Sequence, residues 1–196
     1  MKKKAPRKPA VFLDRDGTLI HDADFLSQPS QVRLFPGSAE ALKLLRGGGF
    51  RLFVVSNQSG VARGYFTETS VKKANRKIQT LLKAKGARVD RFFYCPHYPQ
   101  GKVKSLAINC DCRKPNLGMV KKAARLYPLD LKRSYVIGDK IDDLMLAKKA
   151  GVAAGILVRT GKGRKSEKQL GRLGSGRTVV VSGILLAAKW IVEQQF

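Results

Sequence analysis

The stretch AVFLDRDGTLI, residues 10–20, passes from four apolar residues straight into two carboxylates one residue apart, Asp14 and Asp16, and then into Gly17 and Thr18. The apolar half suits a buried strand, and Asp and Gly are common turn formers. A turn alone explains Gly17, but it does not explain two acids at the end of a buried strand.

Working outward, short apolar runs bounded by turn residues recur at 51–55, 91–94, 134–137 and 154–158, after the first at 11–13. Between them lie amphipathic stretches that predict helices at about 38–45, 67–85, 117–126 and 142–150. Strands alternating with helices predict a doubly wound α/β domain with a parallel sheet. In such sheets ligands gather beyond the carboxyl ends of the strands. After Val158 the segment 159–177 reads as a basic loop, partly mobile; 178–181 reads as an edge strand, and Ser182 as the N-cap of a terminal helix reaching about Gln194. Residues 1–9 read as a basic tail and 10–196 as one domain.

A chain of 196 residues with 43% hydrophobic residues can bury one good-sized core. No apolar run approaches the roughly 20 residues of a membrane span. The start MKKKAPRKPA lacks the apolar middle of a secretory signal, so a cytoplasmic protein without a membrane partner is expected. The net charge of +25, from 39 Lys and Arg against 14 Asp and Glu, attracts phosphates of any kind. Because the basic residues are dispersed, they read first as a solvated surface; nucleic acid is a possible partner and not the favoured one. A monomer is expected.

Four polar clusters follow predicted strand ends or open a predicted helix: Asp14, Asp16, Gly17 and Thr18; Ser56, Asn57 and Gln58; Arg113, Lys114 and Pro115; and Gly138, Asp139 and Lys140, with Asp142 and Asp143 just beyond. Together they suit phosphoryl transfer. Asp14, ionised at neutral pH, can attack phosphorus and form a phosphoaspartate. Asp16 is placed to protonate the leaving oxygen and then to activate water. Carboxylates this close call for a hard cation; Asp139 supplies a third acidic group, and Mg²⁺ fits. Ser56 and Lys114 can hold the remaining phosphoryl oxygens, and Gly17 would let backbone amides approach an anion. Asp142 and Asp143 stay open between orienting a metal-bound water or Lys140 and capping the helix that follows.

The motifs DRDGT, SNQ, RKP and GDK, in this order, resemble the signature of the haloacid dehalogenase superfamily of phosphatases, over about residues 11–158. The resemblance implies a Rossmann-like sheet, Asp14 as nucleophile, Asp16 as acid and base, and Mg²⁺ held by Asp14, the Asp16 carbonyl oxygen and Asp139.

Cys95 and His97 are separated by twelve residues from Cys110 and Cys112. This CxH and CxC quartet suits a closed, structural tetrahedral Zn²⁺ site rather than disulfides. Since Cys112 adjoins Arg113, zinc would fix the backbone that presents Arg113 and Lys114. His21 reads as a plain loop residue.

The segments CPH, CDCRKP and NQSGVARGYF resemble the heptose 1,7-bisphosphate 7-phosphatase branch, with the histidinol-phosphate phosphatases close to it. On that resemblance the substrate is a small sugar bisphosphate. Asn57, Gln58, Arg63, Arg113 and Lys140 are then substrate-binding, with Arg63 suited to the second phosphate. A nucleic-acid 3′-end phosphatase and a non-catalytic, zinc-stabilised basic binding module are the other readings. The intervals after Asp16 and after the second strand are too short for a cap domain, so loops, the zinc loop among them, would define the pocket. The charge of +25 departs from what the branch leads one to expect.

Overall fold

A computed structural model describes residues 6–22, 25–172 and 176–195. Six strands form one parallel sheet: β1 (Lys8–Leu13), β2 (Arg51–Asn57), β3 (Arg91–Cys95), β4 (Leu129–Gly138), β5 (Ala154–Val158) and β6 (Thr178–Val181), in the spatial order β3-β2-β1-β4-β5-β6. The helices are α1 (Ser38–Gly47), the single turn α2 (Ser59–Ala62), α3 (Glu68–Ala84), α4 (Gly118–Leu126), α5 (Ile141–Ala150), the short α6 (Gly163–Glu167) and α7 (Ile184–Glu193).

Successive strand residues point to opposite faces, and β1 shows the consequence. Val11 and Leu13 pack into a core with Leu42 and Leu45 of α1, Ile78 and Leu82 of α3, and Ala188 and Ile191 of α7. Ala10 and Phe12 face a second core with Val120 and Ala123 of α4 and Leu146 of α5. From Ala10 on, the first strand is therefore apolar because it is buried on both faces, as a central parallel strand must be. Only where it leaves the sheet do acids become tolerable.

Several boundaries differ from the sequence reading. The first strand begins at Lys8, inside the stretch read as a tail; the rest of that reading, residues 1–5, lies outside the described residues. The fourth strand starts at Leu129, since its outer half, LDLKR, is partly exposed and carries no apolar run. Segment 159–177 is not all loop: it holds α6 and a 3₁₀ turn at Leu170–Arg172, while 173–175 lie outside the described residues. Arg159 and Glu167 form a two-pronged ion pair there, at 2.7 and 2.8 Å. The terminal helix is capped by Gly183 rather than Ser182, with no side-chain cap, a start that lets Ile184 enter the core. Among the described residues no helix is long and apolar enough to cross a membrane.

Candidate active site

The chain leaves β1 toward β2 and β3 on one side, and β4 leads to β5 and β6 on the other, so the direction of winding switches between β1 and β4. That crevice is where ligands enter sheets of this kind. Asp14 follows β1, its N–H donating to the Ile137 carbonyl of β4 at 2.8 Å. Asp139 follows Gly138 at the end of β4, and Asp143 lies in the first turn of α5. All three carboxylates are buried, and each offers an oxygen within 4.8 Å of the others.

Lys114 is the counter-charge. Its Nζ donates to Asp14 Oδ1 at 2.5 Å, to Asp143 Oδ1 at 2.6 Å and to the Val55 carbonyl at 2.9 Å. Burial works against its charge, but the Asp14 and Asp143 carboxylates more than offset this and hold its pKa above the ordinary value. One lysine does not balance three acids. Burial, with the neighbouring Asp14 carboxylate, pushes Asp139 up to about 7; burial pushes Asp143 up to about 6 against the pull of Lys114. Lys140 also adds positive charge, its pKa raised by the three carboxylates despite its own burial. Asp14 Oδ2 and Asp139 Oδ1 remain buried with no hydrogen-bond partner. Two orphaned carboxylate oxygens in a carboxylate cluster are the donor set a hard divalent cation requires, and Mg²⁺ fits these residues.

Gly17 matters here for a reason other than the one its turn suggested. Its N–H is taken by the Ile20 carbonyl rather than free for an anion. A Cβ on Gly17 would lie 2.2 Å from Asp139 Oδ2, and the backbone there has φ +90°. The glycine is thus needed so that the Asp139 carboxylate can lie against the β1 turn. On its other side Lys162 donates its N–H to Asp139 Oδ2 at 2.8 Å, and Thr160 Oγ1 donates to the Gly17 carbonyl at 2.7 Å.

Asp16 stands apart from this cluster. Arg15, with 1% of its surface exposed, turns inward and pairs with Asp16 at 2.9 Å, donating also to Asn75 Oδ1 of α3 at 3.0 Å and to Gln58 Oε1 at 2.8 Å. Gln58 Nε2 donates to Asp16 Oδ2 at 2.9 Å and to Ser56 Oγ at 2.5 Å, and Ser56 Oγ lies 3.4 Å from Asp16 Oδ2. Burial alone would raise the Asp16 pKa; the Arg15 charge and the hydrogen bonds from Arg15 and Gln58 overcome it and hold the carboxyl below its usual range. Arg15 and Asn75 were missed in the sequence. An arginine between two acids invites an ion pair, but nothing local shows that it is buried or that a residue sixty positions away completes it.

The other predicted residues fall in two places. Asn57 faces the backbone of Lys114: its Oδ1 accepts the Lys114 N–H at 2.9 Å and its Nδ2 donates to the Lys114 carbonyl at 3.1 Å, which fixes the loop. Lys140, Asn57, Gln58 and Asp16 line an open cleft of about 160 Å³, together with Phe25 and Phe66. Arg63 and Arg113 meet through Tyr98, their guanidinium carbons 4.0 and 5.1 Å from its ring centre. Of the roles left open for it, Asp143 takes the helix cap, its Oδ2 accepting the Lys140 N–H at 3.1 Å at the start of α5; its Oδ1 takes one that the sequence reading did not include, holding Lys114. Asp142 lies in the same turn, outside the carboxylate cluster.

Cys95 at the end of β3, His97, Cys110 and Cys112 converge as read. Separations are 3.5 Å between Cys95 and Cys110 sulfurs, 3.3 Å between Cys110 and Cys112, and 3.2 and 3.7 Å from His97 Nδ1 to Cys112 and Cys95. A tetrahedral zinc with Zn–S near 2.3 Å and Zn–N near 2.0 Å sets its ligands roughly 3.5 to 3.8 Å apart, so the donor set and its spacing fit Zn²⁺. No disulfide forms among the three cysteines. Asn116 Nδ2 donates to the Cys110 carbonyl and Arg113 Nη1 to that of His97, so the loop that carries Lys114 is tied to this quartet as well as to Asn57.

Residues 111–183 match the HAD-hydrolase-like family model. The D-glycero-β-D-manno-heptose-1,7-bisphosphate 7-phosphatase of Haemophilus ducreyi is 43% identical over 161 residues, covering 82% of this chain and 88% of that protein. The Escherichia coli K12 protein of the same name is 41% identical over 154 residues, covering 79% and 81%. Among solved structures, the D,D-heptose 1,7-bisphosphate phosphatase of B. bronchiseptica, complexed with magnesium and phosphate, superposes with a TM-score of 0.84 at 35% identity, covering 95% of this chain and 99% of that one. With this likeness extending over most of its length, the chain belongs to the haloacid dehalogenase-like phosphatases, in the family of these heptose-1,7-bisphosphate 7-phosphatases.

Proposed function

We propose that this protein is a Mg²⁺-dependent phosphatase that removes the 7-phosphate of D-glycero-β-D-manno-heptose 1,7-bisphosphate through a phosphoaspartate on Asp14. The observation that carries the reading is the state of Asp14. One of its oxygens is held by Lys114, the other is buried with no partner, and both sit at the crevice of the sheet beside Asp139. A carboxylate so anchored is oriented for in-line attack, since Lys114 holds one oxygen and leaves the other toward the crevice.

Mg²⁺ would be held by Asp14, Asp139 and the carbonyl oxygen of Asp16, and when bound it neutralises phosphate charge and lowers the barrier to attack. Asp143 holds Lys114 from the far side, so the lysine cannot drift toward solvent. Any contact of Lys114 with substrate shares donors already given to Asp14, Asp143 and Val55, and its main task is positioning. Ser56 and Lys140 remain to meet the phosphoryl oxygens. Asp16, kept ionised by Arg15, suits the proton-accepting half of the cycle, in which water attacks the aspartyl phosphate. Donating a proton to the leaving oxygen in the first half requires Asp16 to loosen from Arg15. Arg63 and Arg113, gathered on Tyr98, are placed to take the second phosphate. The cysteine quartet would hold a structural Zn²⁺ that stiffens the Arg113–Lys114 loop.

Phosphate release from heptose 1,7-bisphosphate, with the lost position read by ³¹P NMR, tests the reading. One equivalent released from carbon 7 in the presence of Mg²⁺, and abolished by a chelator, is expected. Release from carbon 1, or turnover indifferent to chelator and to Asp14→Asn, overturns it.

A further inference from the structure

The cleft that holds Asp16 and Lys140 opens past a cluster of aromatic rings that the phosphoryl chemistry does not use. Phe25 and Phe66 line it, and Tyr65 packs edge-on against Phe25, its ring centre 4.7 Å from that of Phe25 with the planes at 81°. Phe25 and Tyr65 are 46% and 53% exposed, and they touch each other. Large apolar side chains left in water and grouped at a cleft mark a contact surface.

Two further features show that the cluster is built rather than incidental. Phe25 is the only non-glycine with positive φ among the described residues, at +70°, a conformation that bulky residues adopt at a cost and that gathers at ligand-contacting sites. Gly60 of α2 lies beneath the rings: a Cβ there would fall 2.3 Å from the Phe66 ring and 3.0 Å from Phe25 Cδ1. The Gly60 carbonyl accepts the Tyr65 N–H at 2.9 Å, which returns the chain over the helix. A missing side chain on α2 thus makes room for Phe66 and Phe25, and a hydrogen bond to the same residue brings Tyr65 beside them.

We infer that Phe25, Tyr65 and Phe66 form an aromatic platform for the leaving group, recognising a sugar ring by its C–H face. Asp16, the residue assigned to the leaving oxygen, shares this cleft with Phe25 and Phe66, so the carbon skeleton beyond that oxygen would lie in the same cleft as these rings. Ring C–H groups of a sugar carry partial positive charge and aromatic faces are negative, so stacking favours a ring over a short acyclic chain. Polar contacts to hydroxyls can fix orientation, but the platform supplies preference for the ring itself. The inference rests on the phosphatase reading above and adds the residues that choose its substrate.

The test is a selectivity ratio, kcat/KM for heptose 1,7-bisphosphate over kcat/KM for glycerol 3-phosphate, in the Mg²⁺-loaded full chain. Tyr65→Ala, Phe25→Leu and Gly60→Ala are each expected to lower it about 3- to 10-fold, the size of an aromatic contact. Leucine keeps the bulk of Phe25 without its face, so a loss there reports stacking rather than filled space. A ratio unchanged within twofold in all three overturns the proposal, even if overall activity drops. Failure of wild-type protein to release phosphate from the heptose bisphosphate sinks the activity reading alone; the platform is then judged by the same ratio with glucose 6-phosphate as the ring ester, and constancy there overturns it.

Discussion

Asp14, Asp139 and Asp143 reach one another from opposite ends of the chain's core, two of them beyond central strands, whereas Cys95, His97, Cys110 and Cys112 lie on one excursion between β3 and α4. In the first site like charges are forced together, and the sheet with Lys114 restrains them. In the second, neutral or ionisable ligands from the end of β3 and the irregular segment after it converge, and a bound ion would add to the restraint. The carboxylate cluster is therefore a consequence of the fold, while the quartet shapes the loop locally. The two are joined through residues 112–114, where the quartet ends and the lysine of the carboxylate site begins.

Substitutions separate the two sites by size of effect. Asp14→Asn keeps the shape but removes the nucleophile, and turnover measured by phosphate release is expected to fall about 10⁴-fold or more. A fall under a hundredfold would mean that the carboxylate cluster is not where chemistry happens. Lys114→Met leaves Asp14 and Asp143 buried without their partner, which typically costs about 3–5 kcal/mol. Thermal melting should show a large drop, and activity should fall with it; an unchanged melting temperature would show that the sheet alone restrains the acids.

Proton competition gives a third, smaller effect. A carboxyl with a raised pKa is protonated below that value and then gives up its place as a cation ligand. With Asp139 near 7, the Mg²⁺ concentration for half-maximal activity should rise roughly tenfold between pH 8 and pH 6. A requirement that stayed flat over this range would remove Asp139 from the ligand set. The smallest effect belongs to the quartet. Cys112→Ser is expected to abolish bound zinc, measured by elemental analysis, and to raise KM several-fold by loosening the Arg113–Lys114 loop, with kcat changed less. Equal losses in kcat and KM would make the loop part of the chemistry, and loss of the far-ultraviolet circular dichroism signal would make zinc essential to the fold.

Much of this was legible in the chain. Strands that are apolar on both faces announce a parallel sheet, and acids placed just after them, at Asp14 and Asp139, announce the crevice. The quartet could be read because its members are close in sequence. The boundaries that went astray lie where burial is partial, as in the exposed half of β4, or where a short basic segment folds as α6 through tertiary contacts.

Side-chain partnership is where the sequence stops. That Asp14 stands near Lys114 follows from motif order, but that Lys114 gives its donors to two aspartates and a carbonyl follows only from packing. The inward turn of Arg15 onto Asn75, the meeting of Arg63 and Arg113 on Tyr98, and the rings laid over Gly60 are of the same kind. Strand and helix periods and the order of the polar motifs were set by local residue choice, because each needs only neighbours along the chain. Which buried charge pairs with which was decided by the folded shape, because in a low-dielectric interior each group takes whatever counter-charge the distant segments bring within reach.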